Sequence, residues 1–272
     1  GGKSNMPTVH APEAGFVSLR HICKTFNPGS ASEVVLFTDF NLEVGWREFL
    51  TVIGGNGSGK TTMLGLICGG VAADSGEVFL DGRDISRLKE HERARVIGRV
   101  FQDPAKGTCP GLTILENMAL ADHKGTSYGL APGVNRARID FYRTELELLK
   151  LGLEDKLHLR ADALSGGQRQ ALALLIATMA PLDLLILDEH TAALDPRSSE
   201  TVMELTEQIV KQKKLTTVMV THNLKHAAAY GDRLIMMHRG AVAFDVSDAD
   251  KSALTAKELA EKFSEISFEQ PN

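Results

Sequence analysis

"FLTVIGGNGSGKTTMLGLICGG" spans residues 49–70 and governs how the rest of the chain is read. Its first five residues are a short apolar run of strand type, and its last ten read as a helix closed by glycines. Between them, "GGNGSGKT" (54–61) fits the phosphate-loop pattern G-x-x-x-x-G-K-[ST] with Gly54, Gly59, Lys60 and Thr61. The setting between a strand and a helix is what makes that pattern specific. Glycines let successive backbone N–H groups curl around the β- and γ-phosphates of a nucleotide, where the following helix adds the partial positive charge of its N-terminus. Asn56, Gly57, Ser58, Gly59 and Thr62 are therefore assigned to phosphate binding with Gly54. Lys60 is expected to reach the β- and γ-oxygens, and the Thr61 hydroxyl to coordinate Mg²⁺.

Outward from this loop, strands and helices alternate. "LDLLILDE" (182–189) has the near-continuous hydrophobicity of a strand buried on both faces of a parallel sheet, and "LTTVMVTH" (215–222) is a second such strand. Between them "SSETVMELTEQIVKQKK" puts Val202, Leu205, Ile209 and Val210 on one helical face. Strand, helix, strand implies a parallel sheet with right-handed crossovers, hence an α/β nucleotide-binding fold. Upstream, "FVSLRHICKTF" and "VVLFTDFNLEV" read as antiparallel strands, and "GEVFLDGRDI" as a hairpin turning at Asp81-Gly82.

The middle third differs. From Leu112 to Leu164 the patterns are helical ("TILENMALA", "ARIDFYRTELELLKLG"), split by a Gly-, Pro- and Ser-containing stretch at 123–135 expected to be an exposed loop. This reads as a helical subdomain, about 106–164, inserted into the α/β core. After His238, "GAVAFDV" predicts an edge strand and "TAKELAEKF" a short helix with Ala256, Leu259, Ala260 and Phe263 in phase. Residues 16–246 are thus expected to form the ATPase domain and 247–272 a short helical tail. "GGKSN" before Met6 has no apolar signal region, and 1–15 is expected to be a non-native, disordered lead.

Composition narrows the function classes. With 272 residues, 43% of them hydrophobic, the chain has ample core. Thirty basic residues against 35 acidic ones give a net charge of −5, which supplies no bulk attraction for nucleic acid. Cys23, Cys68 and Cys109 form no C-x-x-C pair and are expected as reduced thiols. The apolar stretch Ala171 to Leu187 is broken by Thr178, Pro181 and Asp183, so no membrane span is expected.

Asp188 closes the apolar strand where the second Mg²⁺-organising carboxylate of a phosphate-loop site sits, and Glu189 follows it directly. Two carboxylates at a buried strand end need a cation or a proton to manage; the alternative is a helix N-cap at Asp188. A further signal is "LSGGQRQ" (164–170), whose adjacent glycines precede the apolar run "ALALLIATMA". Each glycine costs about 1 kcal/mol in a helix interior relative to alanine, so their backbone is expected to be kept bare for contact.

With "GGNGSGKTT", "LSGGQRQ", "LLILDE", "AALD" and "VTH" in this order, the sequence resembles the ATP-binding subunits of ABC transporters, from about Phe16 to Val246. The resemblance implies a RecA-like phosphate-loop core with an N-terminal antiparallel β subdomain and an inserted helical subdomain. It implies that Ser165, Gly166, Gly167 and Gln168 touch the γ-phosphate of an ATP held by a second copy, and that Asp195 in "AALD" crosses the dimer interface. Phe26 in "KTF" stacks on adenine, or is ordinary core. Gln102 in "VFQDP" contacts Mg²⁺ or the attacking water and senses the membrane partner. Glu189 polarises that water and His222 hydrogen-bonds the γ-phosphate; His222 and His226 at i+4 suggest a metal pair only if further ligands exist, and none is apparent.

Departures from the family pattern are Gly55 for a frequent proline and His190 in "DEHTAALDP", where an imidazole either shifts the proton affinity of the neighbouring carboxylate or points outward and does nothing. The implied cofactors are ATP and Mg²⁺. The implied partners are a second copy, permease subunits at the cytoplasmic face of the membrane and a substrate-binding protein, with no nucleic acid. "HLRADALSGGQ" lacks the acidic-glycine element of many exporters, which favours import, and "DEHTAALDP" is similar to a branch associated with amino-acid-like, including aromatic, substrates. An exporter or lipoprotein-release ATPase, or a soluble non-transport ATPase, is the alternative.

Overall fold

The computed structural model describes residues 15–123 and 136–268. The expected lead 1–15, apart from Gly15, and the expected loop 123–135, apart from His123, lie outside them. Strands β1 (Val17–Phe26) and β2 (Val34–Val44) pair antiparallel, with Val17 opposite Val44 and Phe26 opposite Val34. Strand β3 (Phe49–Gly54) is buried along its whole length and delivers the chain into the phosphate loop. Helix α1 (Lys60–Cys68) leaves the loop and ends at Gly69, whose left-handed backbone lets its N–H cap the Gly65 carbonyl. Strands β4 (Ser75–Leu80) and β5 (Arg83–Asp84) form the hairpin predicted at Asp81-Gly82, completing a four-stranded sheet of order β2-β1-β4-β5.

A short helix α2 (Glu90–Arg93) leads to β6 (Ile97–Val100), then to helices α3 (Ile114–Asp122) and α4 (Arg136–Glu147). Thr113 caps α3 through a reciprocal box with Glu116. Asp122 at the end of α3 takes a bidentate pair of hydrogen bonds from Arg138 at 2.5 and 2.7 Å and a third from Tyr142 Oη at 2.6 Å, so charge-assisted bonds fasten α3 to α4.

The rest comprises α5 (Gly166–Met179), β7 (Leu184–Asp188), α6 (Pro196–Lys213), β8 (Thr217–Val220), α7 (Leu224–Ala229), β9 (Arg233–His238), β10 (Ala241–Ser247), α8 (Asp248–Ala253) and α9 (Ala256–Phe268), of which α7, β9 and α8 are not among the elements expected from the sequence. The second sheet has six strands in the order β10-β9-β3-β8-β7-β6. All its pairings are parallel except that of β10, which lies antiparallel on the edge. Val202, Leu205, Ile209 and Val210 of α6 are buried as their spacing predicts, and Leu259 of α9 is fully buried. One core lies between the two sheets around α1, with Met63, Leu64, Phe37 and Val220; a second lies on the opposite face under α3 to α6, with Met118, Tyr142, Leu174 and Ile209. This is a RecA-like phosphate-loop fold in which the carboxyl ends of parallel strands gather at one edge, where α/β folds bind ligands.

Candidate active site

The turn between β3 and α1 owes its shape to a close approach. Gly59 has φ +109°, and a Cβ there would lie 2.8 Å from the ring of Phe37, which stacks on Phe40 at 4.6 Å. Only glycine sits on that platform without displacing it. The Lys60 side chain is buried and donates to the carbonyl oxygens of Gly54 and, at 3.3 Å, Gly55. Burial pushes the Lys60 pKa down, with nearby Glu189 acting in the opposite direction. Ser58 Oγ is buried without a hydrogen-bond partner.

A cavity of about 460 Å³ opens over this turn. It is lined by Gly55 to Thr62, by Asp188 at the end of β7 and Glu189 after it, by Val220 at the end of β8 and His222 beyond it, and by Phe26, Val34 and Leu36 from the antiparallel sheet. Half-buried Phe26 therefore belongs to the cavity wall and not to the closed core. The chemistry of the lining fits a nucleotide with its metal: an ammonium and a run of N–H groups for phosphates, an unpartnered buried hydroxyl, the Thr61 hydroxyl and the Asp188 carboxylate for a hard cation, and an aromatic and aliphatic wall for a base. Asp188 ends a strand and caps no helix.

Glu189 follows with φ +51°, a left-handed backbone uncommon for a residue with a side chain. Its N–H donates to the Val220 carbonyl at 2.9 Å, which fixes it to β8, and its Oε1 lies 2.5 Å from His222 Nε2. His222 is half exposed. His226, four residues on, instead approaches Glu200 at 3.3 Å, so the two imidazoles serve different carboxylates.

Gln102 lies apart from this cavity. With Phe101, Asp103, Pro104, Lys106 and Ala193 it lines a neighbouring one of about 450 Å³, and Asp188 borders both. The remaining predicted residues are elsewhere. Ser165 is the N-cap of α5: its Oγ accepts from the Gln168 N–H at 3.2 Å, while Gln168 Oε1 accepts from the Ser165 N–H at 3.1 Å. Gly166 and Gly167 form the first turn, not the interior, of that helix. A Cβ on Gly167 would come within 3.0 Å of Ser198 Cβ, so this glycine also lets α5 and α6 approach. Asp195 caps α6 by accepting from the Ser198 N–H at 3.1 Å, and this hydrogen bonding holds its carboxyl below the usual range. None of Ser165, Gly166, Gly167, Gln168 and Asp195 lines the phosphate-loop cavity.

Three residues acquire places that sequence reasoning did not provide. Arg99 of β6 donates to Asp188 Oδ2 at 2.8 Å and lies 4.7 Å over the Phe101 ring. Gln170 is fully buried and donates to two backbone carbonyls, of Phe101 at 2.6 Å and His190 at 2.5 Å. His190 takes neither of its two expected positions: it is buried, its Nε2 is 2.9 Å from Thr206 Oγ1, and burial pushes its pKa down to about 3. A neutral imidazole turned inward adds no charge of its own beside Glu189.

The sequence matches the ABC transporter family over residues 37–192. It is 43% identical over 247 residues to the tyrosine transport ATP-binding protein of Clostridioides difficile, covering 91% of this chain and 98% of the relative. It is 35% identical over 256 residues to a phosphonates import ATP-binding protein of Alcaligenes faecalis, covering 92% of this chain and 90% of that one. An ATP-binding cassette solved as a dimer in a post-hydrolysis state with ADP and Pi superposes with a TM-score of 0.70 at 28% identity, over 85% of this chain and 98% of its own. The phosphate loop, the carboxylates at the end of β7 and these likenesses converge: the chain belongs to the ABC transporter family, as an ATP-binding, ATP-hydrolysing cassette that works with Mg²⁺.

Proposed function

We propose that this cassette energises solute import through separate membrane permease subunits, by hydrolysing ATP between two copies of itself. The observation that carries the catalytic part is the juxtaposition of Glu189 and His222, 2.5 Å apart, on the wall of the cavity that Lys60 and the phosphate loop floor. In this reading Phe26 stacks on adenine, Gly54, Asn56, Gly57, Ser58, Gly59 and Thr62 hold phosphate oxygens through backbone and hydroxyl donors, and Lys60 reaches the β- and γ-oxygens. Thr61, Asp188 and Gln102 are the residues that hold the metal. Mg²⁺ supplies the positive charge that offsets the phosphates during transfer.

Glu189 orients a water in line with the γ-phosphate and takes its proton. The new oxygen–phosphorus bond forms as the bond from the γ-phosphorus to the β,γ-bridging oxygen breaks, leaving ADP and phosphate. His222 steadies Glu189 and donates to the γ-phosphate. The signature residues Ser165, Gly166, Gly167 and Gln168, with Asp195, serve the second copy. That assignment is supported by their absence from this chain's own cavity and by the dimeric arrangement reported for the solved cassette.

ATP bound between two copies favours the closed pair, and its hydrolysis releases it. The same reading divides the chain into 16–246 as the ATPase domain, with 106–164 as the helical subdomain inserted in its α/β core, and 247–272 as a tail. Import is supported by the name of the phosphonates relative and an amino-acid-like cargo by that of the tyrosine relative. A substrate-binding protein and a peripheral place on the cytoplasmic face of the membrane belong to the same proposal; no helix among the described residues is long and apolar enough to cross a membrane.

The test is Glu189→Gln. Positioned base catalysis is worth about 10²- to 10⁴-fold, so phosphate release should fall by that factor while fluorescent-ATP binding is retained. A native rate from this variant refutes the base assignment. Co-purification with a membrane permease, followed by uptake into vesicles holding that complex, tests import.

A further inference from the structure

Gln170 lies two residues beyond Gln168 on α5, so the helix that begins with the signature also carries this side chain into the protein. Its single amide nitrogen spans two chain segments distant in sequence. One hydrogen bond, 2.6 Å long, goes to the carbonyl of Phe101, the residue before Gln102; the other, 2.5 Å long, goes to the carbonyl of His190, the residue after Glu189. Gln170 Oε1 is buried with no partner among the described residues, so the side-chain bonds seen there are the two donated to these carbonyls.

The His190 end of the link is held from the other side as well. His190 Nε2 meets Thr206 Oγ1 at 2.9 Å, and that hydroxyl donates to the Val202 carbonyl at 2.7 Å, which ties the segment to α6. The same segment places Glu189 at φ +51°, a conformation that persists only where surrounding contacts determine it. The chemistry of the link is specific. A primary amide satisfies two buried carbonyls without bringing in a charge; an aliphatic side chain leaves both carbonyls bare, and asparagine is one methylene too short to span them.

We infer that Gln170 is a positioning residue for ATP hydrolysis: its amide holds the Gln102 loop and the Glu189 segment at a fixed spacing and makes both move with the signature helix. Because the first turn of α5 is assigned to the other copy's nucleotide, a shift of that helix on engaging it is passed by Gln170 to this copy's own base and glutamine loop. This inference rests on the roles proposed above for Glu189, Gln102 and the signature.

The experiment uses the full chain with Gln170→Met, which keeps length and removes both donors, beside Gln102→Ala, the double variant and Glu189→Gln. Phosphate release is measured against ATP concentration, and binding with a fluorescent ATP analogue. The expected result for Gln170→Met is a fall in kcat of at least about tenfold with nucleotide affinity held within about twofold, since the amide touches no part of the nucleotide cavity. The double variant should lose less than the product of the single losses, because residues acting through one segment are not additive.

A native kcat, a parallel loss of kcat and affinity, or multiplicative losses each overturn the inference, the second by reducing Gln170 to a packing residue. If Gln170→Met does not fold, Gln170→Asn carries the same measurements and the same criteria. An inactive Glu189→Gln beside a fully active Gln170→Met removes this inference alone. A native rate from Glu189→Gln removes the base assignment and this inference with it.

Discussion

At the carboxyl ends of β3, β7 and β8, the groups Lys60, Asp188, Glu189 and His222 face one cavity, and each has at least one close partner in this chain. At the start of α5, the side chains of exposed Ser165 and half-buried Gln168 each accept from the other's backbone N–H. The first region is imposed by the sheet, since parallel strands with buried side chains must release their polar ends at one edge. The second is a helix cap that the fold leaves at the surface. A serine hydroxyl has one proton and two lone pairs; in the cap Ser165 uses a lone pair to accept the Gln168 N–H, and among the described residues no acceptor takes its proton. The proposed function assigns the phosphate and metal side of the site to the first region and a donor set for a second copy to the other.

The sharpest way to break that contrast is to remove the charge from the first region. Lys60→Ala should weaken ATP binding by about 1.5–3 kcal/mol, or about 10- to 150-fold, the range for hydrogen bonds to charged groups. Isothermal titration of the full chain with ATP measures it. Thermal stability should change little, because the folded state no longer has to bury the ammonium whose pKa is pushed down. An affinity loss no larger than that of Ser165→Ala would mean that the two regions contribute alike to the chain's own nucleotide.

Between the regions lies the seam formed by Gln170, His190 and Thr206, and acid probes it. The folded-state pKa of His190 is driven down from 6.5 to about 3, by burial first and His226 second. Above pH 6.5 the imidazole is neutral whether the chain is folded or not, and its contribution to stability is fully present. As pH falls from 6.5 towards 3, the unfolded chain binds a proton that the folded chain refuses, so that contribution is lost, at about 1.4 kcal/mol per pH unit. His190→Gln should flatten the dependence by that slope in urea unfolding at pH 7, 6 and 5. Parallel slopes for native and variant chains would place His190 in water and unfasten the seam.

How much of this was legible depended on where each residue's environment comes from. The phosphate loop, the strand ending in Asp188 and the helix carrying Val202 to Val210 are local patterns whose period or turn chemistry survives in one dimension. Strand β6 was not legible: its four residues, "IGRV", include a glycine and an arginine, and its strand character comes from pairing with β7 at the sheet edge. Arg99 was missed with it, although its pairing with Asp188 bears directly on the metal side of the site. Gln170 reads in sequence as one more polar residue of "GGQRQ"; its burial arises only where α5 packs across the ends of β6 and β7. For His190 both sequence alternatives kept the imidazole near the surface or beside Glu189, because nothing in "DEHTAALDP" announces Thr206 sixteen residues on.

The smallest effect separates the two roles of Ser165. Replacing an N-cap serine by alanine costs about 1 kcal/mol of helix stability, whereas glycine costs only a few tenths, because glycine tolerates the cap backbone. Ser165→Ala should therefore lower stability in urea by about 1 kcal/mol and Ser165→Gly by much less. Both variants should bind ATP as the native chain does, since Ser165 lies outside its own cavity. Both lack the free hydroxyl proton, so their hydrolysis rates should fall by the same factor. If the rate instead tracks stability, falling in Ser165→Ala and recovering in Ser165→Gly, the hydroxyl serves only to start α5, and the donor set held for the second copy reduces to backbone N–H groups.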